Sequence, residues 1–149
     1  MTHFEILRTS RQRNVWRSIA ALFAGFVVVI VFSLSIDQLM HAFGVFPPWD
    51  EPMDQAGDNL LAIFYRCIIG ILGSYVTARL APHSPMLHVW IGGIIGFMLS
   101  IGGIVAATQV KLGPLWYPIS LTLTALPCAL LGGQLYIWTH STNVRGDLQ

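Results

Sequence analysis

Apolar residues fall along this chain in four blocks, 18–36, 60–78, 89–107 and 115–138, each nearly free of charge. An α-helix rises about 1.5 Å per residue, so roughly twenty apolar residues cover the hydrocarbon core of a bilayer. The pattern predicts an all-α integral membrane protein: a four transmembrane helix bundle with spans at about 18–41, 58–79, 87–109 and 115–138, forming a single transmembrane domain over residues 1–149. Helix-breaking residues agree with these limits. Gly44, Pro47 and Pro48 follow the first block, Pro82 and Pro85 separate the second from the third, and Gly113 and Pro114 precede the fourth. Pro127, inside the fourth block, is expected to kink its helix and free a carbonyl near Leu123.

Composition sharpens the class. Only 10% of residues are charged, against roughly 25% in soluble domains, too few to cover a water-facing surface of this size. Segments 1–17 and 139–149 and three short connections remain outside the spans, leaving no room for an extramembrane catalytic module. The apolar run that starts at residue 18 is longer than a signal-peptide core and continues into Asp37 and His41, so it reads as an uncleaved first helix. A net charge of +1 offers no overall attraction for nucleic acid.

Basic residues set the expected orientation. With the N-terminus inside, Arg8, Arg11, Arg13, Arg17, Arg79 and Arg145 lie on the cytoplasmic side, only Lys111 lies in an outer loop, and Arg66 lies within a span. The outer first loop carries Asp50, Glu51, Asp54 and Asp58. Both termini are therefore expected to be cytoplasmic. Trp16, Trp90 and Trp138 near inner ends, and Trp49 and Trp116 near outer ends, fit the same topology, since indole prefers the headgroup level. Location in a cell membrane follows, and the absence of glycosylation sequons and long loops leans toward a bacterial inner membrane.

Between helices in lipid, close approach depends on small side chains. Gly92, Gly96, Ser100, Gly103 and Ala107 recur every three or four residues on the third helix, and Gly70, Gly73 and Thr77 on the second, with Ala21 and Gly25 on the first. These stripes are expected to be contact faces, within the bundle, in a homo-oligomer or against a membrane-protein partner. Cys67 and Cys128 lie inside spans without the spacing of a disulfide framework or a zinc site, and are read as small packing residues.

Ionisable groups inside a membrane call for a partner or a watery cavity. Asp37 and His41 share one face of the first helix, and Arg66 shares the small-residue face of the second, so an Asp37–Arg66 pair across the two helices is expected. Gln109 ends the third span, and Ser120 and Thr124 line the outer half of the fourth. Together Asp37, His41, Arg66, Gln109, Ser120 and Thr124 mark a small polar pocket that opens outward. A pocket of this kind would bind or transport an ion or small polar ligand. Four helices with an acid in the first is an architecture similar to that of small multidrug transporters, from which this chain departs in holding Asp37 near the outer end. The competing reading is an accessory or assembly subunit of a larger membrane complex, with the cluster serving only to fix helix register. One histidine with scattered carboxylates does not make a metal site, no cofactor is implied, and no nucleophile, phosphate loop or His-Glu-x-x-His motif points to an enzyme.

Overall fold

The computed structural model describes the backbone of residues 3–110 and 113–146, and the side chains of residues 14–109 and 113–141. Lys111 and the side chains of Arg8, Arg11, Arg13 and Arg145 lie outside the described residues. Four α-helices are present, α1 His3–Ala42, α2 Ala56–Leu80, α3 Pro85–Val110 and α4 Trp116–Gly146. Each contains one of the four apolar blocks, and all four are long and apolar enough to cross a membrane. Two helices run beyond the expected limits. Residues 3–17 and 139–145 contain neither proline nor glycine, so nothing local stops helix propagation there. α4 also continues through Pro127.

α1 ends on a left-handed glycine. Gly44 has φ +67, which lets the chain reverse so that the Val45 and Phe46 amides, at 2.9 and 3.2 Å, donate to the Met40 carbonyl left open by the helix end. The connection at 43–55 then folds back over the bundle and buries Phe46 against Ala62, Tyr65 and Ile69. Asn59, itself buried, holds this connection in place by donating from Nδ2 to the carbonyls of Met53 (2.7 Å) and Gln55 (3.0 Å). Gly113, at φ +145, lies against Met53, and a Cβ there would stand 2.9 Å from the Met53 carbonyl oxygen. The 43–55 connection and the start of α4 thus share one end of the bundle, called here the loop end. Residues 81–84 share the opposite end, called here the terminal end, with the start of α1 and the end of α4.

α2 and α4 form the closest pair. α1 packs on α2, α3 packs on α4, and α1 meets α3 only weakly. Large apolar side chains such as Phe23, Phe32, Phe64, Leu99, Leu123 and Trp138 point outward, while Asp37, Asn59, Thr77, His88 and Thr122 are buried. A water-soluble bundle has the reverse distribution, and this one suits apolar surroundings. At the terminal end, His88 Nε2 lies 2.8 Å from Ser18 Oγ and ties α3 to α1.

Glycine permits the tightest approaches, but not all at the positions expected. Gly25 and Gly73 bring α1 and α2 together: a Cβ on Gly73 would stand 2.9 Å from the Gly25 carbonyl oxygen. Gly132 presses on Ile71 and Tyr75 of α2, and Gly133 on Met86 and Val89 of α3. A Cβ on Gly92 would be 3.3 Å from Leu22, whereas Gly70 and Gly96 would meet only ordinary contacts at 3.7 and 3.9 Å, and Gly103 would meet nothing within 4 Å. Of the expected contact glycines, Gly25 and Gly73 alone sit at a backbone-to-backbone approach. The regular spacing of the rest marks surfaces that line cavities.

Gly132→Ala is expected to lower stability by about 1–3 kcal/mol, because its methyl overlaps the rigid Ile71 carbonyl and the backbones must separate. Gly102→Ala, with open space around the new methyl, is expected to match or exceed the parent by up to about 1 kcal/mol through helix propensity. Detergent-driven unfolding followed by circular dichroism compares the two.

Candidate functional site

Asp37 lies five residues before the end of α1 and is buried, at 7% exposed. A carboxylate held there needs donors, and α2 supplies two adjacent ones. The Tyr65 hydroxyl donates to Oδ1, and Arg66 Nη2 donates to Oδ2 at 2.5 Å. One helical step separates Tyr65 from Arg66, so their side chains leave α2 about 100° apart and take the two oxygens from different sides. The expected α1–α2 ion pair is thus present, with a phenol that the sequence reading left out. A buried tyrosine hydroxyl almost always has a partner, and its place beside the intramembrane arginine is the signal that would have found it.

The pair is not equally covered. Asp37's side chain is 10% exposed and Arg66's is 33%. Both carboxylate oxygens are engaged, whereas the Arg66 Nε is buried without a hydrogen-bond partner. The guanidinium carbon stands 6.0 Å from the centre of the Tyr117 ring of α4, a distance at which the ring face attracts the cation.

Above this triad is a cavity of about 420 Å³ on the loop-end side of the bundle. Asp37, Tyr65, Arg66 and Tyr117 form its charged and phenolic floor, Ser100, Gly103 and Ala107 of α3 form one wall, and Phe46, Trp49, Glu51 and Met53 of the folded-back connection lie at its mouth. His41 lines it as well. Its Nδ1 donates to the Pro47 carbonyl at 2.6 Å, and its ring packs on Trp49 with centroids 3.8 Å apart. The helix-to-connection reversal at Gly44 therefore places His41 and Trp49 together over the ion pair.

A second cavity of about 210 Å³ continues along the bundle interior toward the terminal end. Gly25, Gly70, Gly73, Gly92 and Gly96 line it, together with Thr124 and the two cysteines. Cys67 and Cys128 sit next to each other there, from α2 and α4. Arg66 and Leu121 line both cavities, so the arginine stands at their junction.

Three of the six expected pocket residues, Asp37, His41 and Arg66, come together in the larger cavity. Thr124 faces the smaller one and donates to its own helix at Ser120 and Leu121. Ser120 lines neither cavity, and Gln109 is exposed at the end of α3. A hydroxyl on a helix can satisfy itself on the preceding turn, so Thr124 needs no pocket to be tolerated. Residues beyond the expectation that line the larger cavity are Tyr65, Tyr117, Asn59, Ser100 and Gly103. Among the described residues, no three His, Cys, Asp or Glu side chains group closely enough to hold a metal ion.

Removing one member of the pair should cost more than removing both. Arg66→Met strands a buried carboxylate and is expected to destabilise the protein by about 3 kcal/mol, the lower part of the range for broken buried pairs because Arg66 is one-third exposed. The double variant Asp37→Leu/Arg66→Met should recover most of that loss. A double-mutant cycle on unfolding in micelles measures the difference.

Comparison with models of protein families, with curated proteins and with solved structures gave no match for this chain.

Proposed function

We propose that this chain is a multi-pass membrane protein that binds a small ligand in the loop-end cavity, with that end on the outer side of the membrane and both termini in the cytoplasm. The single observation that carries this reading is the cavity itself. A cavity of about 420 Å³ is floored by the Asp37–Arg66 ion pair and partly covered by a connection folded back over it. Cavities of this size suit small-molecule sites, which combine apolar walls with a few convergent polar groups. A pair that served only to fix helix register would be better placed in close packing, since empty space beside it forfeits contacts. Here Gly103 and Ala107 leave that space open.

Charge supports the orientation. Arg17 and Arg79 lie at the terminal end, with Arg8, Arg11, Arg13 and Arg145 nearby in sequence, while Asp50, Glu51, Asp54 and Asp58 lie at the loop end. The ligand then enters from outside, past Trp49 and Glu51. Passage onward would run through the smaller cavity beyond Arg66, which gives the site the layout of a transporter as well as of a binding protein.

Two experiments test this reading. In a variant without Cys67 and Cys128, a cysteine placed at Glu51 should react with an impermeant maleimide added outside intact cells, and one at His83 only after permeabilisation. The reverse pattern overturns the orientation. Native mass spectrometry of protein extracted in mild detergent should show a retained small molecule that is lost in Gly103→Leu. That variant projects into the cavity from a position where a Cβ would meet no neighbour within 4 Å, so it should fold as well as the parent. A fixed-ratio protein partner with no small molecule would replace this reading with the accessory-subunit one.

A further inference from the structure

We propose that the ligand of the loop-end cavity is a small organic monocarboxylate and that it binds together with one proton, which Asp37 takes up as the ligand takes Arg66. This rests on the reading of the cavity as a ligand site and adds the ligand's charge and its coupling.

The sign of the ligand follows from which partner of the ion pair can be reached. Both oxygens of Asp37 are occupied, Oδ1 by the Tyr65 hydroxyl and Oδ2 by Arg66 Nη2, and the side chain is 10% exposed. A cation would have to displace two donors to reach it. Arg66 is one-third exposed and lines both cavities, and its Nε, itself buried, keeps an unused N–H. The accessible charge of this site is positive. A guanidinium presents parallel N–H groups that match a carboxylate in a bidentate fork. The body of the ligand meets Phe46, Trp49, Tyr117 and Leu121, which suits an apolar or aromatic substituent better than a bare inorganic ion.

The proton follows from charge balance. In the resting site Asp37 and Arg66 sum to zero. An added carboxylate would leave a net negative charge in a largely apolar interior, where an uncompensated charge is strongly disfavoured. One proton delivered to Oδ2 of Asp37 restores neutrality: the carboxyl is then uncharged, Oδ1 still accepts from Tyr65, and Arg66 turns from Asp37 to the ligand. No bond other than O–H forms, and no electrons move. The other titratable groups facing this point are His41 on α1, Tyr65 on α2, Tyr117 on α4 and Glu51 in the connection. Of these, His41 and Glu51 are the competing proton acceptors, His41 through Nε2 because its Nδ1–H donates to the Pro47 carbonyl at 2.6 Å, and the His41→Gln variant below separates it from Asp37.

Calorimetry of benzoate binding to the purified protein in lipid nanodiscs, repeated in buffers of different ionisation enthalpy, counts protons per ligand. The expected result is close to one proton taken up per benzoate, with affinity falling about tenfold per pH unit over the range in which that proton is taken up. Benzamide and benzylammonium should not bind. Asp37→Asn should bind benzoate with no proton uptake and no pH dependence. His41→Gln should keep the uptake, Arg66→Gln should lose binding, and Gly103→Leu should lose it by steric filling. Benzoate binding by the parent protein without proton uptake overturns the coupling. Binding of benzylammonium in place of benzoate overturns the assigned ligand charge while leaving the cavity a ligand site. Failure of all three probes overturns the monocarboxylate assignment, and the ligand retained in native mass spectrometry then decides separately whether the cavity is a site.

Discussion

A carboxylate inside an apolar helix bundle has to be neutralised by something within a few ångströms, and in this protein that requirement falls on Asp37. Its two oxygens take a phenol and a guanidinium from consecutive positions of one neighbouring helix. Consecutive residues are usually poor partners for a common target, because they diverge around the helix. They succeed here because the carboxylate lies between their directions, which fixes the rotation of α2 relative to α1 as well as the distance between them. The Gly25–Gly73 approach, seven residues beyond Arg66 on α2 and twelve before Asp37 on α1, sets the separation a second time. Two constraints of different kind therefore define one helix pair.

The loop end is built on that pair. Phe46 is buried against Tyr65, the residue that donates to Asp37, and His41 stands one turn beyond Asp37 on α1. The connection reaches over these residues because Gly44 can take a positive φ and because Asn59 holds the far side of the connection by two carbonyls. The roof of the larger cavity thus depends on residues of α1 and α2 already positioned by the ion pair. Its walls come from α3 and α4, where Gly103 and Ala107 leave room and Tyr117 brings a ring toward the arginine.

Much of this could be read from the sequence, for reasons particular to each element. Four apolar blocks could only be four long helices, and proline and glycine marked their ends. The extra turns at either terminus carried no such mark, because a polar helix and a polar coil look alike where no breaker intervenes. Asp37 and Arg66 were legible as partners because both sat on identifiable faces at reachable depths. Tyr65 was hidden by being apolar enough to pass as part of its helix, and the places of Gln109, Ser120 and Thr124 apart from the larger cavity were not legible, because a polar residue in sequence does not disclose which way its helix turns it; Thr124 bonds to its own helix. Glycine was the most ambiguous residue. A glycine that admits a neighbouring backbone, as at Gly73, and one that leaves a void, as at Gly103, have the same spacing and the same neighbours in sequence.

The unequal packing of the helices has a mechanical meaning. α2 and α4 share the broadest interface, α1 lies against α2 about as extensively as α3 lies against α4, and α1 and α3 scarcely touch. The molecule is in effect a central α2–α4 pair flanked by α1 and α3, with α1 tied to α2 by the glycine contact near the middle and the carboxylate bridge near the loop end, and to α3 by the His88–Ser18 contact near the terminal end. Loss of the carboxylate bridge would leave the glycine contact and that terminal tie in place, so the loop end of α1 is the part that such a change would free.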